Sequence, residues 1–119
     1  MDTDAVGRWV KEYERAWREC DAPAVRDLFT EDAHYLTSPY EKPLVGHEAI
    51  EDFWNDPQPF EMEIQSVTVD GSHAVVRVRV TYRDPEQESL DLWELDFAPD
   101  GRAEHFVEWA YWPGKSFTA

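Results

Sequence analysis

The stretch that most constrains the fold is a pair of apolar-rich segments at residues 89–112. Two expected strands, LDLWELDF and AEHFVEWAYW, flank the turn-forming sequence Ala98-Pro99-Asp100-Gly101. Because successive side chains of a strand point to opposite faces, the second strand divides into two sets, and both contain large aromatic residues. The sets are Glu104, Phe106, Glu108, Ala110 and Trp112 on one face, and Ala103, His105, Val107, Trp109 and Tyr111 on the other. Both sheet faces therefore need cover, one from helices of the same chain and the other from a second subunit.

Composition limits the functions that such a chain can have. Residues 1–119 fit a single domain, and 42% hydrophobic and 14% aromatic residues are enough for a packed core. The net charge of −15 opposes contact with nucleic-acid phosphates and anionic membrane surfaces, so we expect neither partner. No apolar run reaches the roughly 20 residues of a membrane span, and no signal-peptide pattern opens the sequence. Since the single Cys20 cannot form an internal disulfide, we expect a cytoplasmic protein.

The first half of the sequence predicts three helices. Residues 3–20 carry apolar side chains at helical spacing, namely Val6, Trp9, Val10, Tyr13, Ala16, Trp17 and Cys20. A second helix is expected after Asp21, which can cap it, with Val25, Leu28 and Phe29 on its buried face. A third helix is expected from about His47 to Trp54, with Ile50, Phe53 and Trp54 on its buried side.

The remaining segments alternate in the manner of β-strands. Strands are expected at 33–38, 61–69, 73–83 and in both halves of the final hairpin, with loops or turns at 39–43, 70–72 and 84–87. The alternation breaks near Gln65-Ser66-Val67, which indicates a β-bulge. Three helices followed by a mostly antiparallel sheet predict an α+β fold with the helices on one sheet face.

The order of these elements, together with short motifs along nearly the whole chain, resembles the nuclear transport factor 2-like superfamily and most closely its SnoaL-like branch. The matching segments are Tyr13-x3-Trp17-x3-Asp21, Leu28-Phe29-Thr30-Glu31-Asp32-Ala33, Pro39-Tyr40, Val45-Gly46-His47-Glu48-Ala49-Ile50 with Trp54, and Phe97-Ala98-Pro99-Asp100-Gly101-Arg102. The resemblance implies a cone-shaped, curved sheet with three N-terminal helices on its concave face and a pocket between the two layers. It also implies a homodimer through the outer sheet face, at His105, Val107, Trp109 and Tyr111.

The resemblance does not imply one activity, because this superfamily hosts isomerases, dehydratases, epoxide hydrolases, cyclases and non-catalytic binders. The first-helix tyrosine of the distantly similar ketosteroid isomerase branch matches Tyr13. Its catalytic aspartate falls at Thr37 and its protonated aspartate at Trp93, so proton abstraction by that mechanism is not expected. We also find no Asp-Arg-Asp arrangement of the epoxide hydrolases and no two-histidine pattern of the dehydratases at matching positions. Glu108 does match recurrent SnoaL-like sequences, on the face that the resemblance turns toward the pocket.

Glu108 and Tyr13 are the candidate catalytic residues. A carboxylate that faces an apolar cone is desolvated, which raises its pKa and suits a general acid or base near neutral pH. Alternatively, Glu108 is a structural carboxylate or faces solvent, and Tyr13 is a core aromatic rather than a donor to a bound carbonyl. Candidate substrate-binding residues are Trp17, Thr37, Trp54, Asp91, Trp93 and Phe106. Their alternatives are an ordinary aromatic core for the tryptophans and a solvated strand end for Asp91.

The sequence gives no support for a metal or a cofactor, so we expect none. His34, His47, His73 and His105 show no metal-ligand spacing, and HExxH, CxxC, phosphate-loop and GxSxG motifs are missing. Two functions stay open: a cofactor-independent acid–base enzyme (isomerase, cyclase, lyase or hydrolase) for a small, largely apolar molecule, or a non-catalytic ligand-binding or dimerisation module. A cone that its own aromatic residues fill to interior density would favour the second.

Overall fold

The computed structural model describes residues 2–54, 60–83 and 86–113. Its helices are α1 (Thr3–Glu19), α2 (Val25–Leu28), which follows a 3-10 turn at Ala22–Ala24, and α3 (His47–Phe53). Its strands are β1 (Phe29–Leu36), β2 (Leu44–Val45), β3 (Phe60–Asp70), β4 (His73–Arg83), β5 (Glu86–Phe97) and β6 (Ala103–Tyr111). None of the helices in the described ranges has the length and apolar character needed to cross a membrane.

The strands form one curved sheet in the order β2-β1-β6-β5-β4-β3. Neighbouring strands are antiparallel except β1 and β6, which run parallel. The expected α+β architecture, with three helices and a mostly antiparallel sheet, is confirmed. The layers meet in one apolar core to which the inner residues of β4, the stripe of α1 and the aromatic residues of β1, β5 and β6 all contribute.

Helix α1 follows its apolar stripe closely. Asp2 caps the N-terminus by accepting a hydrogen bond of 2.8 Å from the amide of Ala5. The helix ends at Glu19 rather than at residue 20, because Cys20 takes the left-handed conformation (φ 53°) that closes a helix C-terminus. Near the middle of the helix, the indole Nε1 of Trp9 donates a hydrogen bond of 3.0 Å to the carbonyl of Leu28, which joins α1 to α2.

The second and third helices are shorter than predicted. Phe29 is the first residue of β1 rather than the end of a helix, so β1 begins four residues before the predicted Ala33. Asp21 does not cap α2; its carboxylate accepts from Arg15 at 3.1 Å instead. In α3, Phe53 is 46% exposed, which contradicts the buried side predicted for it. Strand β2 was not predicted, because two residues are too few to show alternation.

The hairpins agree with the alternation except at two bulges. The predicted irregularity in β3 is confirmed as a register shift between Ile64 and Ser66. A second shift, between Asp96 and Phe97, was not predicted; it places Ala103 opposite Phe97 in the core and leaves Glu104 exposed. The parity predicted for these first two residues of β6 is therefore wrong, and it holds from His105 onward. Of the turn predicted at 84–87, residues 84 and 85 lie outside the described ranges, and the other two already belong to β5.

Candidate functional site

Two carboxylates face the concave side of the sheet. Asp91 of β5 lies opposite Ala110, and Trp93 lies opposite Glu108 of β6, so the two acidic residues occupy diagonal positions on one face. Asp91 is only 3% exposed, so it does not lie at a solvated strand end; Glu108 is partly buried. The sheet register thus brings together two acidic side chains that lie 17 positions apart in the sequence.

The electrostatics of this pair favour a shared proton. Burial, the charge of Asp91 and a hydrogen bond to Asp91 together raise the pKa of Glu108 to about 8, with burial as the largest cause. Burial also raises the pKa of Asp91, against the opposing effect of hydrogen-bond donors on Ser89, Glu108 and Trp93. Because two neighbouring carboxyl groups in a buried site cannot both ionise easily, Glu108 keeps its proton near neutral pH and donates it toward Asp91. Within the described residues, no Lys, Arg or His side chain contributes to either pKa.

Three buried polar atoms beside the pair form no hydrogen bond of good geometry within the described part of the chain, although the Ser89 hydroxyl and the Trp93 indole lie close enough to Asp91 to lower its pKa. They are Ser89 Oγ, Asp91 Oδ1 and Trp93 Nε1, and each of these residues is at most 3% exposed. Since they alternate along β5, all three side chains lie on the face that carries Glu108. Leaving such a group unsatisfied costs about 1–3 kcal/mol, so small adjustments that let Ser89 and Trp93 donate to Asp91 are favoured.

A second polar group lies between helix α1 and strand β1. The hydroxyls of Tyr13 on α1 and Tyr35 on β1 are 2.6 Å apart, and both residues are buried. Burial raises the pKa of both phenols well above their usual value, and the charge of Glu108 raises both further. Trp54 Nε1 lies close enough to lower the pKa of Tyr35, yet it forms no hydrogen bond of good geometry within the described residues. The two tyrosines are therefore neutral hydrogen-bonding groups at any physiological pH.

Aromatic rings fill the space around Tyr13. Its ring centroid lies 5.1 Å from Trp93, 5.4 Å from Trp54 and 5.5 Å from Phe106, at distances typical of packed aromatic pairs. Trp17 is 6.0 Å from Tyr13 and remains partly exposed at the end of α1. Four of the predicted substrate-binding or catalytic aromatic residues thus meet in one cluster, with Trp17 at its edge.

Thr37 lies outside this cluster, beside an open cavity at the C-terminal ends of β1 and β6. The cavity has a volume of about 400 Å³ and is lined by residues 37–40 and 109–112. Ala110, one of the lining residues, is the next inner-face position after Glu108, but neither Glu108 nor Asp91 lines this cavity. Tyr82 and Trp112 stack at 5.8 Å near this opening. Burial and the charges of Glu108 and Asp91 raise the pKa of Tyr82 to about 12.

Sequence reasoning missed two polar residues of the site and placed the histidines outside it. Ser89 and Tyr35 were not selected, although parity with Asp91 and Thr37 would have pointed to them. His47 contacts the carbonyl of Phe29 at 2.7 Å, and His73 contacts Asp96 at 2.8 Å, both away from the two carboxylates. In the described ranges no group of three or more His, Cys, Asp or Glu side chains has an arrangement that could hold a metal ion.

Solved structures give the class of fold. An NTF-2-like protein of unknown function from Burkholderia xenovorans has a TM-score of 0.74 and 13% identity, over 95% of this chain and 88% of that chain. An LEH-like epoxide hydrolase from M. tuberculosis has a TM-score of 0.72 and 15% identity, over 92% and 84% of the two chains. SalBIII, described as an epoxide hydrolase/cyclase-like enzyme with a role in pyran ring formation in polyether salinomycin, has a TM-score of 0.75 and 19% identity, over 88% and 89%. At these identities the likeness establishes the nuclear transport factor 2-like fold.

The family follows from the sequence itself. Residues 10–112 match the model of the SnoaL-like domain, so the chain belongs to that family. Among curated proteins, none matches the sequence significantly.

Proposed function

We propose that this protein binds a small, largely apolar molecule inside the cone and carries out proton transfer on it through Glu108 and Asp91. One observation carries the proposal: a protonated carboxyl with a pKa of about 8 lies diagonally opposite a second buried carboxyl. Such a pair offers an acid and a base in one site near neutral pH, as general acid–base catalysis requires. The single cysteine and the acidic composition support a cytoplasmic setting.

The surrounding residues have distinct roles in this proposal. Glu108 donates its proton to an oxygen of the bound molecule, while Asp91 accepts a proton from an attacking hydroxyl or water. The tyrosine pair, Tyr13 and Tyr35, supplies neutral donors that can orient a second oxygen. Trp93, which lies opposite Glu108, excludes water from the reacting groups. The structural likeness to proteins described as an epoxide hydrolase and an epoxide hydrolase/cyclase-like enzyme supports a reaction at a C–O bond.

Two measurements test this proposal. Carbon-detected NMR of a protein labelled in its Glu side chains should show Glu108 titrating near pH 8, whereas an ordinary value near 4.3 would remove the acid. Incubation with small apolar epoxides should give ring opening or cyclisation, with a rate that falls above about pH 8 as Glu108 loses its proton. Each of Glu108→Gln and Asp91→Asn should reduce turnover by about 100-fold or more. Turnover that survives both substitutions would refute the assigned roles.

A non-catalytic function is the second candidate, and the packing around Tyr13 favours it. The ring centroid of Tyr13 lies 5.1–5.5 Å from those of Trp54, Trp93 and Phe106, and this packing leaves little room between the helices and the sheet. Xenon binding followed by NMR distinguishes the two functions. Shifts confined to the surface would favour a structural module, and shifts at the methyl or ring signals beside Glu108 would favour a ligand site.

We further propose that two copies of the chain associate through the outer face of the sheet. Leu90 pairs with Tyr111 and Leu92 with Trp109, and these four side chains are 36–38% exposed. Together they form a contiguous apolar patch, which is unusual on a chain that functions as a monomer. His105 and Val107 continue this face along β6, so all four outer positions predicted for contact belong to the proposed interface.

A further inference from the structure

The open cavity of about 400 Å³ lies where β1 leaves β6. These strands pair as far as Leu36 and Val107, and the chain then turns, with the amide of Glu41 donating to the carbonyl of Ser38 at 3.1 Å. Pro39, inside the turn, has no N–H with which to continue the pairing. Strand β6 continues beside β5 beyond this point. We call the resulting cavity the aromatic cleft, and it is lined by Thr37, Ser38, Pro39, Tyr40, Trp109, Ala110, Tyr111 and Trp112.

Half of the residues that line the aromatic cleft carry an aromatic ring. Tyr40, Trp109 and Tyr111 are the Tyr and Trp members of the exposed large hydrophobic side chains in the described ranges, and all three line the cleft. The fourth ring, that of Trp112, is half-buried and stacks on Tyr82 at 5.8 Å, with 23° between the ring planes. Exposed rings that converge on one cavity, rather than lying singly on the surface, are typical of a binding site.

The described residues that line the cleft carry no charge. Although 31% of the chain is Asp, Glu, Lys or Arg, none of the eight lining residues is one of these or a histidine. A charged ligand would lose hydration in the cleft without gaining an ion pair there. The net charge of −15 opposes an anionic ligand in addition. The cleft is therefore suited to a neutral molecule.

The polar groups of the cleft limit the ligand further. A sugar displays a hydroxyl on almost every carbon atom, and the side-chain amides and carboxylates that would pair with so many groups do not occur among the lining residues. A flat aromatic ring needs less, because its faces stack on Tyr and Trp rings. One or two oxygen atoms on such a ring can exchange hydrogen bonds with the hydroxyls of Thr37 and Ser38.

We propose that the aromatic cleft binds a neutral, flat aromatic molecule of one or two fused rings that carries one or two hydroxyl or carbonyl oxygens. The rings of the ligand pack against the four aromatic side chains, and its oxygens bind to Thr37 and Ser38. The cavity volume lies within the range of about 300–1,000 Å³ that small-molecule sites have. This site goes beyond the proposed function, since neither Glu108 nor Asp91 lines the cleft.

Titration calorimetry of the intact protein tests the ligand class with naphthol, naphthoate and methyl glucoside. We expect naphthol to bind about 10-fold or more tightly than naphthoate, which has the same rings and a negative charge, and than the glucoside. Naphthoate or glucoside binding as tight as that of naphthol would contradict the proposed class, and a lack of naphthol binding would remove the site. Neither result affects the roles proposed for Glu108 and Asp91.

NMR of the indole N–H signals locates the bound naphthol. We expect its addition to shift the signals of Trp109 and Trp112, which line the cleft, and to leave those of Trp54 and Trp93 in the core unchanged. Shifts at Trp54 and Trp93 instead would mean that naphthol enters the cone. That outcome would overturn the inference and support the proposed function.

Substitutions with matched controls test the individual groups. Tyr40→Ala should weaken naphthol binding by about 3- to 10-fold, whereas Tyr40→Phe keeps the ring and should bind as the unaltered protein does. Because Tyr40 is fully exposed, neither change affects the core. The double substitution Thr37→Val with Ser38→Ala should weaken binding by about 10-fold, and Thr37→Ser should not. Circular dichroism checks the fold of each variant. Affinity that survives both Tyr40→Ala and the double substitution would refute the site.

Trp109 and Tyr111 also belong to the outer apolar patch through which we propose that two copies associate. Light scattering with and without naphthol separates the two roles, and we expect the mass to stay the same. A mass that falls as naphthol binds would assign the cleft to the second copy instead. Tighter binding of a proline-rich peptide than of naphthol would assign it to a peptide partner, since such peptides also bind in aromatic grooves. Either result would overturn the proposal.

Discussion

The substitution of Glu108 by Gln provides the sharpest test of the buried acid, because the effect on stability has a definite sign. The pKa of Glu108 lies at about 8 in the folded protein and near 4.5 in the absence of the fold. Between these values the folded state keeps a proton that the unfolded state has released. Linkage then requires the free energy of unfolding to fall as pH rises from about 4.5 to about 8, and this contribution to be constant outside that window.

The size of the effect follows from the same values. Each unit of difference in pKa corresponds to about 1.4 kcal/mol, so the rise from 4.5 to about 8 sets an upper limit of about 5 kcal/mol. The contribution of Glu108 is smaller than this limit for two reasons. Glu108 is partly exposed to solvent, and the free-energy cost of ionisation is shared between Glu108 and Asp91. We therefore expect Glu108 to lower the free energy of unfolding by about 2 kcal/mol as the pH rises from about 5.5 to about 8.5.

Urea unfolding followed by tryptophan fluorescence at these two pH values measures the effect. The Glu108→Gln variant should lose about 2 kcal/mol less stability than the unaltered protein as pH rises, because Gln has the same shape, carries no charge and can donate to Asp91. All other titrating groups are common to both proteins, so their contributions cancel in the difference. Glu104→Gln removes a charge at an exposed position of β6 and should follow the unaltered protein. Parallel curves for Glu108→Gln and the unaltered protein would refute the buried-acid interpretation.

Three further substitutions test other parts of the structure. Tyr35→Phe removes the partner of the Tyr13 hydroxyl, 2.6 Å away, and should lower the free energy of unfolding by about 1–2 kcal/mol; thermal unfolding unchanged from that of the parent would contradict this hydrogen bond. Gly46→Ala should cost about 1–2 kcal/mol in urea unfolding, because φ is +88° and the added Cβ would lie 3.3 Å from the carbonyl oxygen of Glu31; no loss would contradict the assigned conformation. Trp109→Glu places a charge in the proposed dimer interface and should halve the mass measured by light scattering, whereas an unchanged mass would exclude this face.

Alternation along the chain was sufficient to predict the elements whose packing is simple. In β4 every second side chain from Ala74 to Val80 is buried, as the pattern predicted, because this strand lies inside the sheet with helices on one face only. The stripe on α1 was equally clear. The boundary between α2 and β1 was not, because Phe29 is buried in either conformation and the pattern contains no turn residue between the two elements.

The pairing of Asp91 with Glu108 could not be obtained from alternation, because it depends on an unpredicted bulge. Without the shift at Asp96 and Phe97, continuation of the Phe97–Ala103 pairing would place Trp93 opposite Val107 and turn Glu108 to the other face. The extra residue restores the register in which both carboxylates point into the cone. One bulge at the end of the hairpin thus decides which face of the sheet carries an acid four residues away along β6.

A core selected for stability alone would not contain this set of residues. Leucine or methionine at the positions of Asp91 and Glu108 would avoid the desolvation of two acids, and apolar replacements of buried charged groups are often neutral or stabilising. Ser89 and Trp93 add two further buried polar side chains, and their contacts with Asp91 fall short of good hydrogen-bond geometry. Each such group costs about 1–3 kcal/mol in a domain whose total stability is about 5–15 kcal/mol. Proteins tolerate these costs where the groups bind or react with something, so we place the function of this chain at the carboxylate pair rather than in the aromatic packing around it.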